Sequence, residues 1–462
     1  MGKPLNTMLS FKQLIPEIRP MTALAVPVVL AELGWMGMTV VDTMMVGRLS
    51  AEAIGAVSFG ALFVNVFGFF CLGLLLGLDT LVSQAFGARN LERCNHCLIQ
   101  GIWIAAAITP IVTVAVFALI PLAENWGVDP RIVSDAIPYL KTLVWSTFPL
   151  LLYVVFRRYL QSMNYVGIVM FALLSANAVN VLVNWLLIFG NWGFPALGVE
   201  GAGWATFFSR VYMFAVLGAF VLYRERAEST GLLHAPRGLD LPLIKTLLAL
   251  GFPVAMQITA EYGVFALATA LIARIDALSL AAHQIVLNVA SVTFMVPLGV
   301  SSAGAVRVGQ AVGRKDAHGA VVSGWTAIAL GAAFMACASI TLFLIPETIL
   351  RIFTTDRSVF ALGVPLLFLA AAFQFFDGIQ VTGGGVLRGI ADTRTPMLAN
   401  LVGHWLVGLP VGAILCFGLG WQAVGIWTGL SLGLIFVAIV LLLAWRKSTR
   451  RMWDIVRLAN TH

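Results

Sequence analysis

Charge is scarce in this chain: Asp, Glu, Lys and Arg make up only 11% of its 462 residues. A water-soluble domain carries about 25%, because it must cover itself with a hydrated face. That shortage argues against a soluble enzyme or binding module. Cysteine is scarce too, with five residues (Cys71, Cys94, Cys97, Cys337 and Cys416). Cys94 and Cys97 are spaced C-x-x-C, but no second pair follows, so neither a disulfide framework nor a thiolate metal site is expected. No G-x-x-x-x-G-K-[ST] loop occurs, and the glycine run Gly383–Gly385 lacks the lysine, which argues against ATP coupling within the chain. No cleavable leader is expected either. Lys3, Lys12 and Arg19 with Pro16 and Pro20 read as a cytoplasmic lead over residues 1–20.

What is present is apolar. Hydrophobic residues reach 60%, and mean hydropathy is +0.95. The 44 glycines and 18 prolines would mark turns in water; in a bilayer they suit close helix packing and kinks. Apolar stretches fall near 22–45, 54–78, 99–122, 138–156, 167–189, 201–223, 244–270, 280–300, 319–345, 359–382, 398–418 and 424–444. Each has roughly the length needed to cross about 30 Å of hydrocarbon at about 1.5 Å per residue. The termini and the loops after even-numbered stretches hold 21 of the 28 Lys and Arg, so both termini are expected in the cytoplasm. The net charge of +7 is spread between the spans, not gathered in a groove, and no nucleic-acid partner is expected.

The two halves resemble each other at a constant offset of 226 residues. Pro27 is answered by Pro253, Arg48 by Arg274, Gln84-Ala85 by Gln310-Ala311, and Gly87 by Gly313. Six spans per half is an even number, so the halves share one topology. The expected fold is therefore an all-α polytopic membrane protein: twelve transmembrane helices in two six-helix lobes related by a pseudo-twofold along the membrane normal. The lobes are expected at 21–223 and 244–445, joined by a cytoplasmic loop at 224–243 and followed by a basic cytoplasmic tail at 446–462. Such halves suit a cleft that opens alternately to either side, and no channel filter is visible.

Five acidic residues fall within or at the edges of the spans: Glu32, Asp42, Asp79, Glu261 and Asp377. A carboxylate persists there by facing a polar cavity, pairing, or taking a proton. Gln257 precedes Glu261 by one turn, Tyr262 is adjacent, and Gln374 and Gln380 stand three residues either side of Asp377. His283, Gln284 and Asn288 add polarity to span eight. Asp42 has Asn177, Asn180 and Asn184 of span five as candidate neighbours, the three amides lining one helix face. Each acid has two readings, a hydrogen-bonded helix pin or a cation-coupling group. Glu32 and Asp79 are the least decided, and Arg210 has no partner legible from the sequence.

These residues carry a resemblance. The stretches PVVLAELGWMGMTVVDTMMVGRLSAEAIGAVSFG, GFPVAMQITAEYGVFALATALIARI and FQFFDGIQVTGGGVLRGIADTRTPM, with the later Pro410, are similar to the multidrug and toxic compound extrusion (MATE) family, in its NorM-like bacterial branch. The resemblance covers nearly the whole chain. It implies export of cationic or amphipathic compounds in exchange for Na⁺ or H⁺. Glu261 and Asp377 match the family's second-lobe cation-coupling carboxylates, and Asp42 with Asn180 matches a first-lobe pair used by other branches. Asn184 stands where some of those branches have an acid, so the first-lobe site departs from that pattern.

The expectation is thus a secondary antiporter and not an enzyme. It acts as a monomer in the bacterial inner membrane, with Na⁺ or H⁺ as coupling ion and no cofactor. Na⁺ would sit at Glu261 and Asp377, or at Asp42 and Asn180. A lipid-linked precursor flippase is the alternative, and it would call for cationic groups lining the cleft for phosphate. An integral-membrane enzyme would need a nucleophile, base or metal cluster, and none stands out.

Overall fold

A computed structural model of the chain describes residues 11–124 and 130–459. Lys3 with the rest of 1–10, and residues 460–462 of the expected tail, lie outside the described residues. Among the described residues every regular element is a helix. In chain order these are α1 (Phe11–Val46), α2 (Ala51–Leu75), α3 (Gly77–Gly87), α4 (Leu91–Glu124), α5 (Pro130–Trp145), α6 (Thr147–Ser162), α7 (Val166–Phe189), α8 (Val199–Glu228), α9 (Leu241–Ala273), α10 (Ala277–Gly313), α11 (Ala317–Leu344), α12 (Pro346–Phe353), α13 (Arg357–Gly389), α14 (Arg394–Asn400), α15 (Leu409–Ala413) and α16 (Gln422–Ala459). Wider π turns at Leu401–Gly408 and Ile414–Gly418 flank α15. Among the described residues, eleven spans are long and apolar enough to cross a membrane, and the bent pair α5–α6, taken as one span, makes a twelfth. The outward faces are apolar: Ile111 and Val114 on α4 are each 67% exposed, which suits lipid and not water.

Two spans are irregular for local reasons. The stretch expected at 138–156 breaks at Ser146, where α5 and α6 meet at 43°. Pro149 has no N–H to offer the preceding turn, and the Ser146 hydroxyl donates to the Leu143 carbonyl at 2.5 Å. Span eleven, from Arg394 to Gly418, contains Pro410, which likewise removes a helical donor. Its glycines Gly403, Gly408 and Gly412 face Gly425, Gly429 and Gly433 of α16, spaced four apart as in G-x-x-x-G packing. A Cβ on Gly429 would stand 2.3 Å from the Gly412 nitrogen, so this seam admits hydrogen alone.

The repeat is visible in the caps. Ser50 accepts from the Ala53 N–H at 3.0 Å, and Asp276, 226 residues on, accepts from the Ser279 N–H at 2.6 Å. Asn90 caps Arg93 at 2.9 Å, and Asp316 caps Gly319 at 2.8 Å. Arg89 and Lys315, again one offset apart, share a left-handed φ of 59°.

The chain packs as two compact units, Leu30–Ala255 and the described parts of Met1–Val29 with Met256–His462. The division runs through α1 and α9, just after Pro27 and Pro253, and not through the 224–243 connection that halves the sequence. Each of these helices starts with one unit and ends in the other. The contacts responsible are themselves repeated: Gly73 abuts Ala255, and Gly299 abuts Val29, both members of each pair shifted by 226. Gly251 is tighter still, with a Cβ falling 1.9 Å from the Leu74 carbonyl oxygen, a backbone atom that cannot swing aside. Gly251→Ala should therefore cost about 1–3 kcal/mol or more. Thermal unfolding in detergent measures this, and an unchanged midpoint would mean that α9 does not begin against α2.

Candidate functional site

In the unit Leu30–Ala255, α1 and α7 bring Asp42, Asn180 and Asn184 together. The Asn184 amide nitrogen donates to Asp42 Oδ1 at 2.6 Å and to Asn180 Oδ1 at 3.0 Å. Both asparagines are fully buried, and Asn184 Oδ1 and Asn180 Nδ2 have no hydrogen-bond partner among the described residues. Asn177 is not part of this group, because its amide donates to the Leu173 carbonyl at 2.9 Å. Arg210 lies within electrostatic reach of Asp42 without an ion pair to it. Its guanidinium donates to Ser146 at the α5–α6 break.

In the other unit, α9 supplies Glu261 and α13 supplies Gln374, Asp377 and Gln380. The Gln380 amide nitrogen donates to Glu261 Oε1 at 3.1 Å and to Asn400 Oδ1 at 3.3 Å. Gln374 donates to Thr293 at 2.8 Å. The outer oxygens of Gln374 and Gln380 are buried without a partner among the described residues. Asp377 is 6% exposed and close enough to Glu261 for the two carboxylates to act on each other. Gln257 and Tyr262 are half-buried beside Glu261, with Gln257 near Gly384.

Other expected site residues stand elsewhere. His283 was a cleft candidate, but it is sealed in the core: Trp427 Nε1 donates to its Nδ1 at 3.0 Å, and Thr269 Oγ1 meets its Nε2 at 2.8 Å. An indole N–H only donates, so Nδ1 must accept and the ring is neutral in this arrangement. Gln284 and Asn288 are exposed on α10 and join neither carboxylate group. Glu32 is also corrected: it pairs with Arg157, while Asp79 pairs with Arg158 at 3.3 Å. Glu17, expected in the lead, belongs to α1 and holds Arg307 with two bonds of 2.7 Å.

Six acids of the spans, of which Asp79 and Asp377 are buried and the others half-buried, fall into two sets. Glu17, Glu32 and Asp79 each face an arginine. None of the ion pairs among the described residues involves Asp42, Glu261 or Asp377. Among the described residues, no three His, Cys, Asp or Glu side chains gather to hold a metal ion. Asn400 and the arginine partners are what sequence reasoning missed. An amide inside the apolar stretch 398–418 was the available signal for Asn400.

Eleven apolar spans among the described residues, or twelve with the bent pair taken as one, together with a doubled sequence and carboxylates inside the spans define a multi-pass helical membrane protein. The MatE family model matches residues 27–186 and 253–414, beginning twice at positions 226 residues apart. The chain belongs to the MatE family. It is 37% identical to a probable multidrug resistance protein NorM of Mesorhizobium japonicum, over 94% of each chain. It is 31% identical to the multidrug resistance protein MdtK of Edwardsiella ictaluri, over 96% of this chain and 99% of that one. Among solved structures, the eukaryotic MATE transporter AtDTX14 superposes with a TM-score of 0.85 at 21% identity, covering 96% of this chain and all of that one. A MOP superfamily transporter from Pyrococcus furiosus gives the same TM-score at 16% identity, covering 97% and 99%. These structural likenesses establish the fold.

Proposed function

We propose that the chain is a cation-coupled antiporter that exports cationic or amphipathic organic compounds across the bacterial inner membrane, with both termini cytoplasmic and one copy sufficing. One observation carries the reading: Asp42, Glu261 and Asp377 sit inside spans without an ion-pair partner, whereas Glu17, Glu32 and Asp79 have arginines. A carboxylate held in a bilayer without a salt-bridged partner is stabilised by a polar cavity, a proton or a mobile cation. Na⁺ or H⁺ fills that role. The buried oxygens of Gln374 and Gln380 beside Asp377, and of Asn184 beside Asp42, add neutral ligands suited to a hard cation. No resident cofactor enters the scheme.

Coupling requires only that cation and drug differ in their affinity for the states open to either side. Inward-moving cation loads the carboxylates and favours the state from which the compound has left. The names of the NorM and MdtK relatives support drug-like cargo. The flippase reading is less well supported, because Arg157, Arg158 and Arg307 are each matched by a carboxylate and not offered to a phosphate, and Arg210, which has no ion pair, donates to Ser146.

The test uses purified protein in liposomes with ethidium as the cationic probe and Na⁺ and H⁺ gradients imposed separately. At least one gradient should drive ethidium movement. No driven movement under either would overturn the antiport reading.

A further inference from the structure

The two carboxylate groups share a device. In each, one amide nitrogen is divided between a carboxylate and a second amide oxygen: Asn184 between Asp42 and Asn180, Gln380 between Glu261 and Asn400. The repeat does not relate them, since Asn184 is answered by Pro410, and Gln380 answers Val154. They differ in how the second amide is held. No backbone carbonyl accepts from Asn180 Nδ2, so only the Asp42 carboxylate orients that pair of amides. Asn400 Nδ2 donates to the Pro396 carbonyl at 2.9 Å.

That one bond fixes the polarity of the whole row. A backbone carbonyl only accepts, so Asn400 must turn its NH₂ toward Pro396 and its Oδ1 toward Gln380. Gln380 must then present its own NH₂, which places its second N–H on Glu261 and leaves its Oε1 turned away and unpartnered. A flipped Gln380 would set two oxygens against each other at Asn400 and another pair at Glu261. The row is buried, with Gln380 and Asn400 each 1% exposed, so water does not compete to reorient it. It is also braced: Trp405 Nε1, one turn beyond Asn400, donates to the Ala260 carbonyl next to Glu261 at 3.1 Å.

We propose that Asn400 is a positioning residue for the cation site: through Gln380, and pinned by Pro396, it holds a donated N–H on Glu261 and turns the Gln380 oxygen outward as a cation ligand. This rests on the reading of Glu261 and Asp377 as the coupling carboxylates. Asn400 touches neither the cation nor the cargo.

The experiment measures ethidium movement in liposomes as a function of the driving cation. In Asn400→Leu the half-saturating cation concentration should rise about tenfold, the scale of a lost charge-assisted hydrogen bond, with the maximal rate within about twofold. Asn400→Thr should stay within about threefold of the unaltered protein. Its hydroxyl can donate to the carbonyl four residues back and still accept from Gln380. Gln380→Met should match Asn400→Leu, and the double variant should be no worse than either. Should Asn400→Leu fail to insert, Gln380→Met and Asn400→Thr carry the comparison. A fall in maximal rate alone, additive effects in the double variant, or an unchanged half-saturation in Gln380→Met would each overturn the proposal. An unaltered protein that moves no ethidium under either gradient overturns the antiport reading instead, so the two failures are distinct.

Discussion

Glu261→Ala and Asp377→Ala should each lower gradient-driven ethidium export at least about tenfold while the protein remains inserted and folded, a loss within the range of a coupling free energy between two sites. The expectation follows from what each carboxylate lacks. Neither has an arginine or lysine partner among the ion pairs of the described residues, and Glu261 is met only by the N–H of Gln380. On the proposed reading, a cation entering here offsets the repulsion between the two carboxylates, with the buried oxygens of Gln374 and Gln380 as its proposed neutral ligands. Removing either acid removes the charge that makes cation entry favourable. Initial rates in liposomes at matched protein density give the readout, and driven export unchanged in both variants would sink the assignment. Glu261→Gln sharpens the test, since it retains an accepting oxygen and loses only the charge.

Much of this architecture was legible in the sequence because it depends on quantities a sequence states directly. Span number follows from apolar length, and the doubled plan follows from the 226-residue offset, which the caps at Ser50 and Asp276 reproduce position for position. Helical spacing put Asn180 and Asn184 on one face as candidate neighbours of Asp42, and Gln380 on one face with Asp377. The bond from Gln380 to Glu261 joins two helices and was not legible. What stayed hidden depends on contacts between distant segments. Gly73 against Ala255 moves the start of α9 into the unit Leu30–Ala255, and no periodicity in either helix announces it. Arg157 and Arg158 read as charges of a cytoplasmic loop, yet they lie within α6 and face Glu32 and Asp79. His283 carries the same sequence signal whether it lines a cavity or, as here, is closed in by Trp427 and Thr269.

The paired acids should fail in a different way from the unpaired ones. Glu32→Ala strands the Arg157 guanidinium, whose side chain is 6% exposed, in a place that water cannot reach well. Removing one member of a buried pair costs about 3–5 kcal/mol, because the remaining charge keeps its desolvation cost and loses its compensation. Asp79→Ala should behave likewise through Arg158, Asp79 itself being 1% exposed. Each variant should unfold at clearly lower temperature in detergent, and Glu32→Ala combined with Arg157→Met should recover most of the loss, since no charge is then left alone. Asp377→Ala strands no cation and relieves repulsion with Glu261, so its unfolding temperature should hold or rise even as driven export falls. If Glu32→Ala were as stable as the parent and Asp377→Ala were not, the division of the acids of the spans into fixed pairs and mobile-cation sites would be wrong. Stability and transport measured on the same variants thus sort pins from coupling groups, which helical spacing alone left open at every acidic position in the spans.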